Sequence, residues 1–211
     1  MYSQNDEEAV VKAYFAERDP KSLCLLDIGA NDGETFSNSR QLILDGWNAV
    51  LVEPSPKAFA KLKMLYRQNS KVKVRKLAIS KATGQLEFHE SGSLNEDESD
   101  VALFSSIKAS ELERWADRVS FTKMEVQSYS VGDFIENQNL QDLQFDFITI
   151  DAEGMDWEIL RQIDLTQIGC KCLCVEWNGI SSLYAKMKVY CENKHYMKEC
   201  SRNSENVIFI K

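Results

Sequence analysis

The carboxylates and glycines that close successive apolar runs are the residues of this chain best placed to do chemistry. The run Leu23 to Ile28 leads into Asp27-Ile28-Gly29-Ala30-Asn31-Asp32-Gly33-Glu34-Thr35. Gly29 and Gly33 permit a tight turn and a close approach of backbone to a ligand, where a Cβ would clash. The spacing is not the G-x-G-x-x-G of dinucleotide folds, and an acid ahead of the glycines, Asp27, suits a cationic ligand better than a pyrophosphate. Glu53 closes the next apolar run, Ala49 to Val52. It stands about 20 residues on, where a carboxylate is placed to accept hydrogen bonds from ribose hydroxyls.

A second set of acids follows the later runs. Asp151 and Glu153 lie two apart in IDAEG at the end of Phe145 to Ile150, and residues two apart share a face of an extended strand. Two neighbouring carboxylates can raise one another's pKa and act as a general base or bind a substrate. They can equally hold a divalent cation, or belong to a structural network. Glu176 and Asn178, in VEWNG, form a second candidate wall, with an ordinary Asn-Gly turn as the alternative for Asn178. Of the two histidines, His89 borders an acidic stretch and is a candidate base if that stretch folds over the cleft, whereas His195 reads as structural. Trp115, Trp157 and Trp177 are candidates to stack on a sugar face, or core aromatics.

These residues need a frame that brings strand ends together. The alternation supplies it: a helix at Glu7 to Arg18, a strand at Leu23 to Ile28, a helix at Thr35 to Leu44, a strand at Ala49 to Val52, and a helix opened by Pro56. A third strand is predicted over Val72 to Ile79, then a hairpin arm at Gln85 to His89 and a polar, mobile loop from Glu90 to Asp100. Ser110 to Arg118 reads as helical, Phe121 to Tyr129 as extended, and Val131 to Asn137 as a short helix. Strands at Phe145 to Ile150 and Cys170 to Glu176 flank a helix at Trp157 to Ile163. A helix at Ser182 to Glu192 precedes a closing hairpin, His195 to Cys200 with Val207 to Ile210. Such alternation specifies a doubly wound α/β fold with a mostly parallel, Rossmann-like sheet, whose ligands bind at the carboxyl ends of the strands. We read 1–211 as one domain, with 1–20 an N-terminal helical extension and about 90–129 an insertion near the acceptor site.

Composition narrows the partners. The chain has 211 residues, 44% of them hydrophobic, which suffices for one well-buried core. With 33 acidic and 25 basic residues the formal net charge is -8, which argues against nucleic acid or anionic lipid as a partner. No apolar run approaches the roughly 20 residues of a membrane span, and the first residues lack a basic segment followed by an apolar one, so a soluble, cytoplasmic protein is expected. Cys170, Cys172 and Cys174 alternate at strand spacing, which predicts three small side chains on one buried face rather than a zinc site.

S-adenosylmethionine carries both a nucleoside and cationic centres, and Asp27 is placed to meet its amino-acid portion directly or through water. An ordinary Gly-rich turn is the alternative. The segments LLDIGANDGET, VLVEPSP, LAISKATGQLEF, VALFSS, IDAEGMDWEIL and HYMKECSRNSENVIFI together resemble the FkbM-type methyltransferases, from about Leu23 to Ile210. The resemblance implies that S-adenosylmethionine is bound by Asp27, Gly29, Asn31, Gly33, Thr35 and Glu53, with Ala30, Pro54 and Asp151 beside them. Ala78 and Ile79 are implied to lie near the adenine, with Ser105 or Ser106 close by. The family mainly methylates hydroxyls, often on sugars or polyketide products, so O-methylation of a small or glycan acceptor is expected. The catalytic candidates are then Asp151, Glu153, Glu176 and His89, and a metal, if used, falls to Asp151 and Glu153. Thr149 stands where many relatives have Lys, and Asp156 where Glu is more usual. A catalytically silent cofactor-binding protein and an NAD-dependent oxidoreductase are the competing readings.

Overall fold

The computed structural model describes residues 1–92, 102 and 104–211. Seven strands form the main sheet: β1 (Cys24–Ile28), β2 (Asn48–Val52), β3 (Val72–Arg75), β7 (Phe147–Ile150), β8 (Cys172–Glu176), β9 (Lys198–Arg202) and β10 (Asn206–Ile210). Their spatial order is β3-β2-β1-β7-β8-β10-β9. The first five run parallel, and β10 lies antiparallel between β8 and β9. The α/β architecture with a closing antiparallel hairpin is therefore the one the sequence predicts.

Near-continuous burial along β1, β2, β7, β8 and β10 follows from helices on both faces. Val11 of α1 (Glu7–Tyr14), Leu42 of α2 (Arg40–Leu44) and Leu62 of α3 (Pro56–Tyr66) pack with Leu25, Leu51 and Phe147 on one face. Phe134 of α5 (Val131–Asn137), Ile159 of α6 (Asp156–Leu160) and Met187 of α7 (Ser181–Val189) pack with Leu26, Val50, Ile148 and Leu173 on the other. Successive strand residues alternate between the two clusters, as a pleated strand requires. The chain leaves β1 toward β2 on one side and returns to β7 on the other, so the crevice at the carboxyl ends of β1 and β7 is the switch point where such sheets take ligands.

A smaller sheet, β4 (Ala78–Ile79), β6 (Phe121–Tyr129) and β5 (Gly84–Ser91), stands beside this crevice with α4 (Ala109–Trp115). β4 runs parallel to β6, and β5 pairs antiparallel to it over eight residues. Here the structure departs from the single strand expected over Val72 to Ile79. The alternating Val72-Lys73-Val74-Arg75 stays in the main sheet, while the continuous apolar Leu77-Ala78-Ile79 turns away to pair with Ser128 and Tyr129. The loop expected over 90–100 falls mainly on residues outside the described ones, and so do Val101 and Leu103 of VALFSS.

Other boundaries move for local reasons. The helix expected from Thr35 begins only at Arg40, because Phe36 takes a left-handed φ of 53° and the Ser37 hydroxyl accepts the Ser39 and Arg40 N–H groups. Phe36, within the span expected to be helical, lies outside α2 and is 53% exposed. The helices expected at Glu7 to Arg18 and Trp157 to Ile163 are shorter, at Glu7–Tyr14 and Asp156–Leu160. The last helix passes into a π-helical turn at Tyr190–Lys194, so the first hairpin arm starts at Lys198 rather than His195. The three cysteines do not share a face: Cys172 and Cys174 pack beside Leu25 and Phe147, while Cys170 precedes β8 and packs in the opposite cluster. All six cysteines are free. Among the described residues no helix is long and apolar enough to cross a membrane.

Candidate active site

A cavity of about 400 Å³ opens at the carboxyl ends of β1, β2, β7 and β8. That size lies within the roughly 300–1,000 Å³ typical of small-ligand sites. Its walls differ from one end to the other.

At the β1–β2 end every acid is bound by the protein itself. Asp27 is buried and accepts the Ser39 hydroxyl at 2.6 Å. Burial lifts its pKa to about 6 against the lowering effect of that bond. Glu53, also buried, accepts the Asn31 N–H at 2.8 Å on one oxygen and the Ser55 N–H at 2.7 Å on the other. Burial pushes it up to about 8, and the two backbone bonds oppose the shift. Asn31 holds a left-handed φ of 47°, which turns the loop under Glu53. Thr35 is fixed by its N–H and hydroxyl to Asp32, both at 2.8 Å.

The two glycines divide their duties. Gly29 lines the cavity with φ +93°, and a Cβ there would come within 1.7 Å of the Asp151 carbonyl oxygen. The Gly29 turn is thus pressed against the end of β7, and any side chain would force the two apart. Gly33 makes no such approach. A Cβ on it would meet Leu62 and Tyr66 of α3, so this glycine serves helix packing rather than the ligand contact expected of it.

Asp27, Gly29, Ala30, Asn31, Thr35, Glu53, Pro54, Ala78, Ile79, Ser105, Ser106 and Asp151 all line the cavity, while Gly33 does not. Leu77, Phe88, Phe104 and Ile107 give the same region apolar surface. Ser106 also anchors the turn that carries Glu153, because its hydroxyl donates to the Glu153 carbonyl at 2.7 Å and accepts the Lys108 N–H at 2.9 Å.

At the β7–β8 end the carboxylates stand without such partners. One oxygen each from Asp151, Glu153 and Glu176 lie within 4.8 Å of one another. No hydrogen bond or ion pair to their side chains is present among the described residues, and Glu176 Oε2 is buried with no partner at all. Desolvation raises all three, Asp151 to about 7 with repulsion from Asp156 and Asp27 adding to it, and Glu153 and Glu176 well above their ordinary range with repulsion from Asp151 adding to it. Glu153 has a left-handed φ of 46°, a conformation that costs a non-glycine residue energy and needs surrounding support. Asp156 supplies it by accepting the Ala152 and Gly154 N–H groups at 2.8 and 3.0 Å. The shorter acid at 156 is therefore a brace for the turn rather than a wall of the cavity.

His89 is not brought to the site. On β5, Phe88 faces the cavity and His89 the opposite side, where its Nε2 lies 3.0 Å from Glu87. His195 is buried and 3.5 Å from the Thr166 hydroxyl, remote from the cavity lining. Of the tryptophans, Trp115 lines the cavity, whereas Trp157 packs on Tyr190 and Trp177 on Tyr184. The Trp115 Nε1 is buried and unpartnered among the described residues, and its ring stacks on Phe104 at 4.2 Å between centroids.

Among the polar lining residues that escaped the sequence reading are Gln4, Ser37, Asn38, Arg114 and Glu205. Gln4 arrives because the N-terminal segment is strapped across the sheet rather than extended from it. Buried Glu8 accepts the N–H groups of Tyr2, Ser3 and Gln41, and buried Glu7 accepts the side-chain amides of Asn203 and Asn206. Two acids buried side by side at the start of a helix were the one available signal.

The model of the methyltransferase FkbM domain matches residues 27–197 of the chain. No curated protein matches it. The solved structure of methyltransferase FkbM from Methylobacillus flagellatus KT is 13% identical with a TM-score of 0.57, over 100% of this chain and 56% of that one. A METTL16 methyltransferase domain is likewise 13% identical with a TM-score of 0.50, over 96% of this chain and 64% of its own. The chain therefore spans somewhat more than half the length of these two structures, and at this identity they share its fold.

Proposed function

The chain belongs to the FkbM methyltransferase family, whose members use S-adenosylmethionine, and from that premise we propose that it methylates a hydroxyl of a small or glycan acceptor, a sugar hydroxyl foremost. The observation that carries this reading is the convergence of Asp151, Glu153 and Glu176 directly beside the Gly29 turn. A neutral hydroxyl attacks a methyl group only as its proton leaves, so it needs an acceptor for that proton within hydrogen-bond reach. The acceptor oxygen bonds to the methyl carbon, the carbon–sulfur bond breaks, and its electron pair stays on sulfur to give neutral S-adenosylhomocysteine. The hydroxyl proton passes to a carboxylate of Asp151 or Glu153.

In this reading the β1–β2 end holds the cofactor. Glu53 faces the ribose, Asp27 the amino-acid portion, and Ala78 and Ile79 flank the adenine. The opposite wall selects the acceptor. Three carboxylates with Gln4, Asn178 and Glu205 repel a phosphorylated or carboxylated acceptor and offer hydrogen bonds to a neutral polyol, and Trp115 adds an aromatic face suited to a sugar ring.

The test is product analysis. Incubation with S-adenosylmethionine and panels of neutral sugars, sugar phosphates and amines is expected to yield a methyl ether of a neutral sugar by mass spectrometry. Transfer to nitrogen alone would overturn the hydroxyl reading. Tight S-adenosylhomocysteine binding with no transfer to any class would favour a catalytically silent cofactor-binding protein.

A further inference from the structure

We propose that Asp151, Glu153 and Glu176 together bind one divalent, oxygen-seeking cation in the acceptor end of the cavity, with its open coordination positions toward the incoming hydroxyl. The cation's role rests on the acceptor reading above; its binding does not.

Asp151 and Glu153 come from the end of β7, and their shared cleft alone would be only a cluster of acids. Glu176 is the independent observation. It arrives from the neighbouring strand β8, is only 7% exposed, and aims at the same space a carboxylate whose Oε2 has no partner among the described residues. A buried carboxylate oxygen left unpaired is costly, and proteins rarely leave one without a ligand or a counter-charge. The other buried acids among the described residues obey that rule: Glu7, Glu8, Asp27, Glu53, Glu90, Asp146 and Asp156 each accept protein N–H or O–H groups, and Glu111 has the Arg114 counter-charge. None of the described ion pairs reaches the three acids in question; even Arg114, which lines the cavity, pairs with Glu111 at 3.3 Å.

The donor set names the class of ion. Three carboxylates with no imidazole or thiolate suit a hard cation, magnesium, manganese or calcium, rather than zinc or copper. Calcium–oxygen distances of about 2.3–2.6 Å put opposite ligands about 4.6–5.2 Å apart, and magnesium at about 2.0–2.1 Å puts them about 4.0–4.2 Å apart. One oxygen from each acid, all three within 4.8 Å of one another, is close enough for a single ion of this class to draw them into its coordination sphere. One oxygen from each acid leaves coordination positions free on a six-coordinate ion. A hydroxyl bound there becomes more acidic, its proton leaves to a carboxylate oxygen outside the coordination sphere, and the oxygen attacks the methyl carbon as before.

The experiment titrates Mn²⁺ alone into the full chain, free of cofactor and acceptor, following uptake by calorimetry and by loss of the free-ion electron paramagnetic resonance signal. One saturable site is expected, displaced by Mg²⁺ or Ca²⁺. Glu176→Gln and Glu153→Gln are each expected to weaken it by about tenfold or more, because ligand charge sets affinity in such sites, while Asp27→Asn leaves it unchanged. Circular dichroism confirms that each variant is folded, and S-adenosylhomocysteine binding confirms it again for the two glutamate variants. No saturable uptake, or uptake indifferent to both glutamate variants, overturns the inference. Full-rate transfer in EDTA also overturns it while leaving the acceptor reading intact; cation binding without any transfer does the reverse.

Discussion

The acids at the two ends of the cavity have the same origin, the ends of parallel strands, and opposite circumstances. Asp27 and Glu53 accept hydrogen bonds from the Ser39 hydroxyl and from the Asn31 and Ser55 N–H groups, although the Asn31 side-chain amide beside them has no partner among the described residues. Glu176 is buried as deeply and Asp151 and Glu153 are half-buried, yet no hydrogen bond or ion pair to their side chains is present among the described residues. Acids already bonded to the protein are preorganised, which suits the cofactor proposed for that end. Acids left unbonded are completed by something that arrives, an acceptor, a proton or a cation. The proposed division puts the constant part of the chemistry on β1–β2 and the variable part on β7–β8.

The seam between the two ends is Gly29, and the largest effect is expected there. A Cβ within 1.7 Å of the Asp151 carbonyl, on a left-handed backbone, cannot be accommodated without separating β1 from β7. Gly29→Ala is expected to cost about 4 kcal/mol or more, read from urea denaturation, because backbone strain and overlap act together. A loss of less than about 1 kcal/mol would mean that the two ends are not mechanically joined.

A smaller effect separates the ends by pH. Glu53 rises from an ordinary 4.5 to about 8 on burial, so the folded chain binds more protons than the unfolded one between those values. Its contribution to stability is complete below the unfolded pKa and is lost as pH rises through the folded one. The Tm of the ligand-free protein is therefore expected to fall by at least about 3 °C from about pH 5 to about pH 8.5, and Glu53→Gln is expected to flatten part of that slope. A wild-type Tm that rises over this interval would show that Glu53 is ionised in the folded chain throughout.

How far the sequence exposes this arrangement depends on how local each feature is. Strand ends are local, so Asp27, Glu53, Asp151 and Glu176 are legible as acids closing apolar runs, and the α/β alternation that gathers them is equally plain. Their partners are not. That Ser39 reaches Asp27 depends on the left-handed Phe36 delaying α2, and nothing in a Ser-Asn-Ser stretch announces it. Gln4 meets the cavity only because Glu7 bonds Asn203 and Asn206 across the whole length of the chain. Gly33 is legible as a required glycine, but the neighbour that requires it, Leu62, belongs to a helix whose placement is tertiary. His89 fails for the simplest reason: strand alternation turns it outward, and the register of β5 could not be fixed without β6.

The most direct test of the division is a single set of S-adenosylhomocysteine titrations by calorimetry on the wild type, Asp27→Asn and Glu153→Gln. Removing the charge of a buried hydrogen-bonded acid typically costs about 1.5–3 kcal/mol, so Asp27→Asn is expected to weaken cofactor-product affinity by about 10- to 100-fold, while Glu153→Gln is expected to change it by less than about threefold. The reverse ranking, or equal losses in both variants, would contradict the assignment of the two ends.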